Sequence, residues 1–270
     1  MPKGREQVGF IGCGEMGSMI LSAALEAGVL EASQTQVAER DTSRRNRIAS
    51  LGVNTVDSPT SLDWCDRLIM AVRPQQFNEA TNALGCSDQA RLVVSIMAGI
   101  NSASIKQALG TATRVICVMP NAPVRVHAGM SILMPGEDTT SSDITFAESL
   151  FGPLGATAQL PESALWPVTA VSGSGPGYVA LFAEAMTEAA IKFGIEPDVA
   201  ATLVAHTIAG TGRMLVDTGI PAADLRASVA TPGGTTEAGI EAMVDRNITQ
   251  LIQAGIQAAH DRGESLSKHG

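Results

Sequence analysis

The stretch Gln7-Val8-Gly9-Phe10-Ile11-Gly12-Cys13-Gly14-Glu15-Met16-Gly17 decides the fold of the first part of the chain. A short apolar run, predicted to be a strand over Val8–Ile11, leads into the spacing Gly-x-Gly-x-x-Gly, and an apolar helical pattern over Met16–Ala27 follows. In a strand–turn–helix unit of this kind, Gly12 permits the tight turn, Gly14 lets the backbone approach a diphosphate, and Gly17 lets the helix pack on the strand. Free N–H groups at the start of the helix favour an anion. The motif predicts a dinucleotide site made by Gly12, Cys13, Gly14, Glu15, Met16 and Gly17.

Outward from this turn, short apolar runs alternate with helical patterns. Further strands are predicted at Thr35–Ala38, Leu68–Val72, Leu92–Ile96, Val115–Met119, Gly129–Met134 and Ala156–Leu160. Helices are predicted between them at Arg44–Leu51, Gln75–Leu84, Ser102–Leu109 and Ser142–Phe151. This alternation is typical of an α/β fold with a Rossmann-like, doubly wound parallel sheet.

The pattern becomes helical after Pro161, and strand-like alternation stops. Helices are predicted at Glu162–Val171, Gly177–Phe193, Pro197–Thr218, Thr236–Asp245 and Ile248–Arg262. We therefore expect a dinucleotide-binding domain over residues 1–161 and an all-α domain over 162–270. The helix Pro197–Thr218 is apolar around much of its circumference, which favours burial against a second subunit. The alternative is a central helix in a monomeric bundle.

Composition excludes several classes of protein. The 270 residues are 45% hydrophobic but only 3% aromatic, and the net charge is -9, which argues against nucleic-acid binding and against an anionic membrane surface. The polar start of the chain predicts no signal peptide, and we expect no membrane span. The four cysteines show no C-x-x-C spacing, and no histidine is placed to complete a zinc site, so we expect no metal and reduced thiols in a cytoplasmic protein.

The segment Glu39-Arg40-Asp41 after the second strand bears on the choice of cofactor. A carboxylate at this position typically accepts hydrogen bonds from the ribose of NAD, and an arginine binds the 2′-phosphate of NADP. Arg40, Arg44 and Arg45 form a cationic cluster suited to the phosphate, whereas Glu39 would repel it. We expect NADPH as the cofactor, with NADH possible.

Two further loops follow predicted strands and so lie where open α/β sheets bind ligands. One begins with Ala71, Val72, Arg73 and Pro74. The other contains Asn121, whose backbone is stiffened by nearby prolines and whose amide can face a nicotinamide or a substrate. The alternative for Asn121 is a simple turn between elements.

Two glycine-rich turns interrupt the helical half, Ser172-Gly173-Ser174-Gly175-Pro176-Gly177 and Thr231-Pro232-Gly233-Gly234-Thr235-Thr236. Each precedes a helix and supplies hydroxyls, free N–H groups and a positive helix end, which together suit a small carboxylate. The alternative is that each is a structural helix–helix turn.

Taken in order, these segments resemble the pyrroline-5-carboxylate reductases, which make proline. The resemblance runs from the glycine turn through Ser95–Ile100, Met119–Pro123 and Ser172–Tyr178 to Leu225–Gly239, the most diagnostic segment. It implies hydride transfer from NAD(P)H to the C=N carbon of 1-pyrroline-5-carboxylate. It also implies a homodimer, assembled into a larger ring such as a decamer.

The resemblance also implies roles for individual residues. Thr231, Gly233 and Gly234 would hold the substrate carboxylate, together with Thr235 in the same turn. The expected catalytic residues are Thr236, which would hydrogen-bond the ring nitrogen, and Glu184, which matches an acidic position lining the site. Ser172 and Ser174 would lie near the nicotinamide. Little acid–base machinery is needed, because an imine can be protonated before it binds.

The chain departs from the family at three positions. Arg73 stands where lysine is more common, Gly177 replaces a usual alanine, and Cys117 stands where arginine is common. Arg73 keeps its charge, but Cys117 loses one, so the resemblance carries no cofactor contact to that position.

Three other functions are alternatives to that of a pyrroline-5-carboxylate reductase. A β-hydroxyacid dehydrogenase would need a lysine where Val179 stands, which counts against it. The intact second turn counts against a non-catalytic NADP-binding sensor. A related imine reductase with a different acid substrate stays open.

Overall fold

The computed structural model describes residues 7–267 of the chain. The prediction of no signal peptide concerns the first residues, of which 1–6 lie outside this range. The strands are β1 Val8–Ile11, β2 Thr35–Ala38, β3 Asn54–Val56, β4 Arg67–Met70, β5 Leu92–Ser95, β6 Arg114–Pro120, β7 Gly129–Pro135 and β8 Gly155–Gln159. The helices are α1 Glu15–Glu26, α2 Thr42–Ala49, α3 Phe77–Leu84, α4 Ser102–Leu109, α5 Ser141–Phe151, α6 Leu165–Val168, α7 Gly175–Lys192, α8 Pro197–Thr218, α9 Ala222–Val229, α10 Thr235–Val244 and α11 Ile248–Ser267.

All eight strands form one sheet in the order β3-β2-β1-β4-β5-β6-β7-β8. The chain starts in the middle at β1, moves outward to β3, and then crosses back to β4 on the other side of β1. This reversal creates a crevice at the carboxyl ends of β1 and β4, where doubly wound sheets bind their ligands. The predicted Rossmann-like fold is confirmed.

One pairing differs from the predicted all-parallel sheet, because β6 and β7 run antiparallel. Only the short turn Asn121–Ala128 joins them, whereas a parallel crossover needs a dozen or more residues. The neighbouring pair β7 and β8 is parallel again, since α5 lies between them in the chain.

Two short elements are absent from the sequence-based prediction. Strand β3 has three residues, two of them polar, so it shows no apolar run. Helix α9 lies between Pro221 and Ala230 and was obscured by the breakers around it. The predicted helix Glu162–Val171 is also not continuous, because α6 gives way to a π-helical turn over Thr169–Gly173.

The core of the first part lies on both faces of the sheet. One apolar cluster includes Phe10, Ile20 and Phe151, and the other includes Leu68 and Val93, all of them fully buried. Strands covered on both faces read as continuous apolar runs, which is why the central strands were predictable.

The chain divides into two compact units. Unit 1 comprises residues up to Gly173 together with the chain from His260 onward, and unit 2 is Ser174–Ala259. The predicted domain boundary at residue 161 is a different division and stays a prediction. The end of α11 belongs to unit 1, where Gly263 packs so closely on Trp166 that a Cβ would lie 2.3 Å from the indole.

Unit 2 is a set of helices with very little interior of its own. Its buried residues are Ala200, Val204 and Leu225. Large apolar side chains are exposed along its helices, among them Phe182, Phe193, Val199, Leu203, Met214, Val216, Leu251 and Ile252. An apolar surface of this extent marks an interaction face.

Helix α8 also meets the length and composition expected of a membrane span, with 22 residues and a mean hydropathy of 1.3. This differs from the sequence-based expectation of no membrane span. Only 11% of that apolar window is buried, although Ala200 and Val204 of this helix are two of the three buried residues of unit 2.

Candidate functional site

A cavity of about 850 Å³ opens at the carboxyl ends of the central strands of unit 1. Its volume lies within the usual range for ligand pockets. Its walls come from the glycine turn, from the loops after β2, β3 and β4, and from the end of β6. The lining includes Gly12, Cys13, Gly14, Glu15, Met16, Glu39, Arg40, Asp41, Arg44, Asp57, Ser58, Ala71, Val72, Arg73, Glu79, Met119 and Pro120.

The three glycines of the first turn meet different physical needs. Gly12 has φ +77°, and a Cβ there would lie 2.5 Å from Cγ1 of Val72. A Cβ on Gly17 would lie 3.0 Å from Cβ of Ala71, because α1 packs closely on the loop after β4. Gly14 is open, and its nearest protein atom would be Nη1 of Arg44 at 4.0 Å. The backbone at Gly14 is therefore left bare toward the cavity, as a diphosphate requires.

Glu39 at the end of β2 points into the glycine turn. Its Oε2 accepts a hydrogen bond from the Cys13 N–H at 3.0 Å, and its Oε1 accepts one from the Asp41 N–H at 3.0 Å. The residue is 8% exposed. Each oxygen keeps further acceptor capacity, so the carboxylate can still accept a bond from a ligand hydroxyl.

The three arginines of the predicted cationic cluster are separated by the fold. Arg40 forms an ion pair with Glu79 at the cavity wall. Arg45 donates from Nη1 to the carbonyl oxygen of Glu39 at 2.8 Å, which holds the loop after β2. Of these three arginines, Arg40 and Arg44 line the cavity and Arg45 does not.

The loop after β4 supports the glycine turn from the side. Ala71 and Val72 are the residues that contact Gly17 and Gly12, and the Ala71 N–H donates to the carbonyl oxygen of Ile11 at 2.9 Å. Arg73 lines the cavity, and Pro74 begins the turn that leads to α3. The predicted residues of this loop thus lie beside those of the glycine turn.

Asn121 has a structural task in the turn between β6 and β7, which is the alternative that the sequence left open. Its Oδ1 accepts a hydrogen bond from the Met130 N–H at 2.9 Å, which closes the turn between β6 and β7. Its Nδ2 donates to Oγ of Ser172 at 3.3 Å. The structure therefore brings these two predicted site residues together. Ser172 lies in the π-helical turn, an element that is frequent at functional sites.

The second predicted turn, Thr231–Thr236, is closed on itself in unit 2. The Gly234 N–H donates to the carbonyl oxygen of Thr231 at 2.9 Å, and a Cβ on Gly234 would lie 2.5 Å from Oγ1 of Thr231. Gly233 has φ +74°. Within the described residues, the hydroxyls of Thr235 and Thr236 make no hydrogen bond, so both can bind a ligand.

A neighbouring carboxylate already contacts this turn. Oε2 of Glu237 accepts a hydrogen bond from the Gly233 N–H at 2.7 Å. Ser174 directly precedes α7 and makes no side-chain capping hydrogen bond, and Glu184 lies exposed further along that helix. No hydrogen bond joins either residue to the turn among the described residues.

Three of the four cysteines of unit 1, Cys13, Cys65 and Cys117, are buried, and Cys86 is exposed. Burial, reinforced by the charge of Glu39, raises the pKa of Cys13 to about 12, and burial likewise raises the pKa of Cys65 to about 12. Cys117 is buried with its Sγ 3.3 Å from Oε1 of Glu162, so its side chain does not line the cavity. The described residues contain no group of ligands that could hold a metal ion.

Among the cavity residues that the sequence did not predict are Asp57, Ser58 and Pro59. They follow β3, the strand that the pattern did not predict, so no signal placed them at the carboxyl edge of the sheet. Glu79 was also missed, since its relation to Arg40 arises only when α3 packs beside the glycine turn.

Comparisons with known proteins agree with both halves of the chain. A family model described as pyrroline-5-carboxylate reductase dimerisation matches residues 162–266, and one described as NADP oxidoreductase, coenzyme F420-dependent, matches residues 7–99. The pyrroline-5-carboxylate reductase of Methanosarcina acetivorans is 32% identical over 266 residues, covering 97% of this chain and 98% of that protein. The Escherichia coli enzyme of the same name is 31% identical over 272 residues, covering 97% and 99%.

Solved structures show the same likeness. A pyrroline-5-carboxylate reductase from Coxiella burnetii has a TM-score of 0.92 at 29% identity, covering 97% of this chain and 99% of that one. The Plasmodium falciparum pyrroline carboxylate reductase with NADP bound has a TM-score of 0.85 at 25% identity, covering 97% and 98%. The chain described here therefore belongs to the pyrroline-5-carboxylate reductase family.

Proposed function

We propose that this protein reduces 1-pyrroline-5-carboxylate to L-proline, the final step of proline biosynthesis, with NAD(P)H as the hydride donor. Two features of the chain carry the proposal: the backbone at Gly14 is open to a dinucleotide, and a second glycine turn follows in the helical half. The chain that combines them is 32% identical, over 97% of its length, to a pyrroline-5-carboxylate reductase. The reduced nicotinamide would supply the hydride to the C=N carbon of the substrate. The residues of this chain then have to bind and orient the two reactants.

The cavity of unit 1 supports NAD(P)H binding by most of the predicted cofactor residues, since all of them except Gly17, Pro74 and Asn121 line it. Gly14 leaves space at the start of α1, where free N–H groups favour a diphosphate. We propose that the whole glycine turn contacts the cofactor, together with Arg40, Ala71, Val72, Arg73, Pro74 and Asn121. The relative with NADP bound supports NADPH, and the Glu39 carboxylate in the cavity leaves NADH possible.

The turn Thr231–Thr236 is our proposed substrate site. Thr231, Gly233, Gly234 and Thr235 would hold the carboxylate, and Thr236 would accept or donate a hydrogen bond at the ring nitrogen. The unpartnered hydroxyls of this turn support the assignment. An iminium nitrogen protonated in solution needs no acid from the protein, so Glu184, Ser172 and Ser174 would serve to line and orient the site.

We propose that the chain forms a homodimer through unit 2 and that dimers build a larger ring such as a decamer. The exposed apolar side chains of unit 2 and the dimerisation family match support a dimer. That match begins at residue 162, which supports the proposed domain boundary after 161. Helix α8 carries Asp198, Arg213 and Asp217, which favours a protein partner over lipid.

We further propose a cytoplasmic protein that acts on a small molecule and binds neither nucleic acid nor a membrane. Four free cysteines and a net charge of -9 support this location and these partners.

The test is a side-by-side measurement of initial rates with NADPH and NADH on 1-pyrroline-5-carboxylate. Cofactor oxidation should depend on the substrate and should yield L-proline. A purified protein that turns over with neither cofactor, or that reduces only a different cyclic imine, would remove the assignment.

A further inference from the structure

Three arginines follow β2, and the structure gives each of them a different task. Arg40 is neutralised by its ion pair with Glu79. Nη1 of Arg45 donates hydrogen bonds to the carbonyl oxygens of Glu39 and Arg40, at 2.8 and 3.3 Å. The Arg44 guanidinium makes neither a hydrogen bond nor an ion pair within residues 7–267. Of these three arginines, Arg44 alone can bind an anionic ligand without breaking a hydrogen bond or ion pair of the described residues, although the charge of Asp41 lies near it.

Arg44 is also placed at the cavity. Its Nη1 lies 4.0 Å from where a Cβ of Gly14 would stand, nearer than any other atom from outside the glycine turn. Its own backbone N–H donates to Oδ1 of Asp41 at 2.8 Å, a helix cap that fixes where the side chain leaves α2. Arg45, one residue later, does not line the cavity.

The charges around this corner show why Arg44 would matter. Glu39 and Asp41 add two negative charges to the cavity wall after β2, and Glu79 is balanced by Arg40. A ribose 2′-hydroxyl can donate to the Glu39 carboxylate, but a 2′-phosphate would be repelled by it. A guanidinium that faces the cavity offsets that repulsion and binds phosphate oxygens in a bidentate manner.

We propose that Arg44, rather than Arg40, is the residue that binds the 2′-phosphate of NADPH, with Glu39 opposing it as the acceptor for the 2′-hydroxyl of NADH. This pair would set the ratio in which the two cofactors are used. The inference rests on the proposed function only for its kinetic test, since binding of the adenosine half can be measured without any reaction.

The experiment compares Arg44→Ala with Arg47→Ala. Arg47 lies on the same helix, is exposed and does not line the cavity, so its removal changes the net charge equally. Calorimetry with 2′,5′-ADP and with 5′-ADP measures the 2′-phosphate contribution directly. Arg44→Ala should weaken 2′,5′-ADP binding about tenfold or more and 5′-ADP binding less than about twofold, while Arg47→Ala should change neither.

Kinetics supply the second readout. In Arg44→Ala, the KM for NADPH should rise about tenfold while the KM for NADH stays nearly unchanged. Arg44→Lys should restore part of this loss, because it keeps the positive charge. Glu39→Gln should lower the KM for NADPH. Equal losses of affinity for NADPH and NADH would indicate that Arg44 binds the diphosphate and would overturn the proposal. An Arg44→Ala protein with unchanged NADPH affinity, or a larger loss in Arg40→Ala, would overturn it as well. If the wild-type protein shows no turnover, only the proposed function is contradicted. The comparison of 2′,5′-ADP with 5′-ADP binding would still test the role of Arg44.

Discussion

The two glycine turns of this chain are built in opposite ways. A Cβ on Gly12 would meet Val72 at 2.5 Å, whereas a Cβ on Gly233 would meet nothing within 4 Å, although both residues have positive φ. The first turn is enclosed by the loops of its own sheet. The second stands in a unit with only three buried residues. The contrast indicates that unit 1 is stabilised by its own packing, whereas unit 2 leaves its apolar side chains exposed to a binding partner.

The largest effect is expected from adding a methyl group to the enclosed turn. Gly12→Ala should cost about 2–4 kcal/mol of unfolding free energy and abolish cofactor binding, because the left-handed φ and the contact with Val72 both oppose it. Thermal unfolding and a cofactor titration measure the two losses. Gly14→Ala is the matched control, since its Cβ has space, and it should lose cofactor affinity while keeping its stability. Equal unfolding of the two variants would contradict this account.

The next effect concerns the exposed face of unit 2. Leu203→Glu should shift the protein from an oligomer toward monomer and lower its activity, because a buried charge opposes an apolar interface. Leu51→Glu places the same change on an exposed leucine of unit 1 and should leave the assembly intact. Sedimentation or light scattering reports the outcome. A Leu203→Glu protein of unchanged mass would show that this face is not the interface.

A third test separates binding of substrate from binding of cofactor. Thr236→Ala should lower kcat/KM for 1-pyrroline-5-carboxylate by about 10- to 100-fold, because one hydrogen bond to the bound substrate is lost. The dissociation constant of NADPH should stay within about twofold of wild type. Equal damage to both constants would mean that the turn is structural.

A fourth test concerns the acid stability of unit 1. Asp143 is buried, which raises its pKa, but hydrogen bonds from Arg114 and Thr140 outweigh this and hold its pKa at about 2. Since the folded pKa is depressed, the stabilisation is complete above the unfolded pKa of about 4 and is lost as pH falls toward 2. Asp143→Asn should therefore cost about 2 kcal/mol at pH 7 and almost nothing at pH 2. Denaturant unfolding at several pH values checks this, with the exposed Asp88→Asn as the control; parallel curves for Asp143→Asn and wild type would contradict it.

The smallest effect is expected at the open turn. Glu237→Gln keeps an acceptor for the Gly233 N–H but removes a negative charge beside the proposed carboxylate site. The KM for the substrate should fall about two- to fivefold, since like charges repel across a short distance. Glu241→Gln, one turn further along α10, should change it less. A rise in KM for Glu237→Gln would show that the carboxylate supports the turn rather than opposing the substrate.

Much of the fold was predictable because its signals are local. Strands β1 and β2 and helices α4 and α8 have the predicted bounds, since continuous apolar runs and helical periodicity coincide with them. Strand β3 escaped because its stability comes from pairing with β2 rather than from its own side chains. The antiparallel direction of the β6–β7 pair was also not predicted, because the alternation of strands and helices does not indicate where a turn reverses the chain.

The sequence alone determined the glycine turn and the class of cofactor, because three glycines at that spacing after a strand serve a need of the backbone itself. It also determined the apolar character of α8. Only the tertiary structure decided what Asn121 does and how the three arginines after β2 divide their tasks. The reason is physical: spacing sets which backbone conformations are allowed, whereas the partner of a long charged side chain depends on elements brought beside it by the fold, as Glu79 is brought to Arg40.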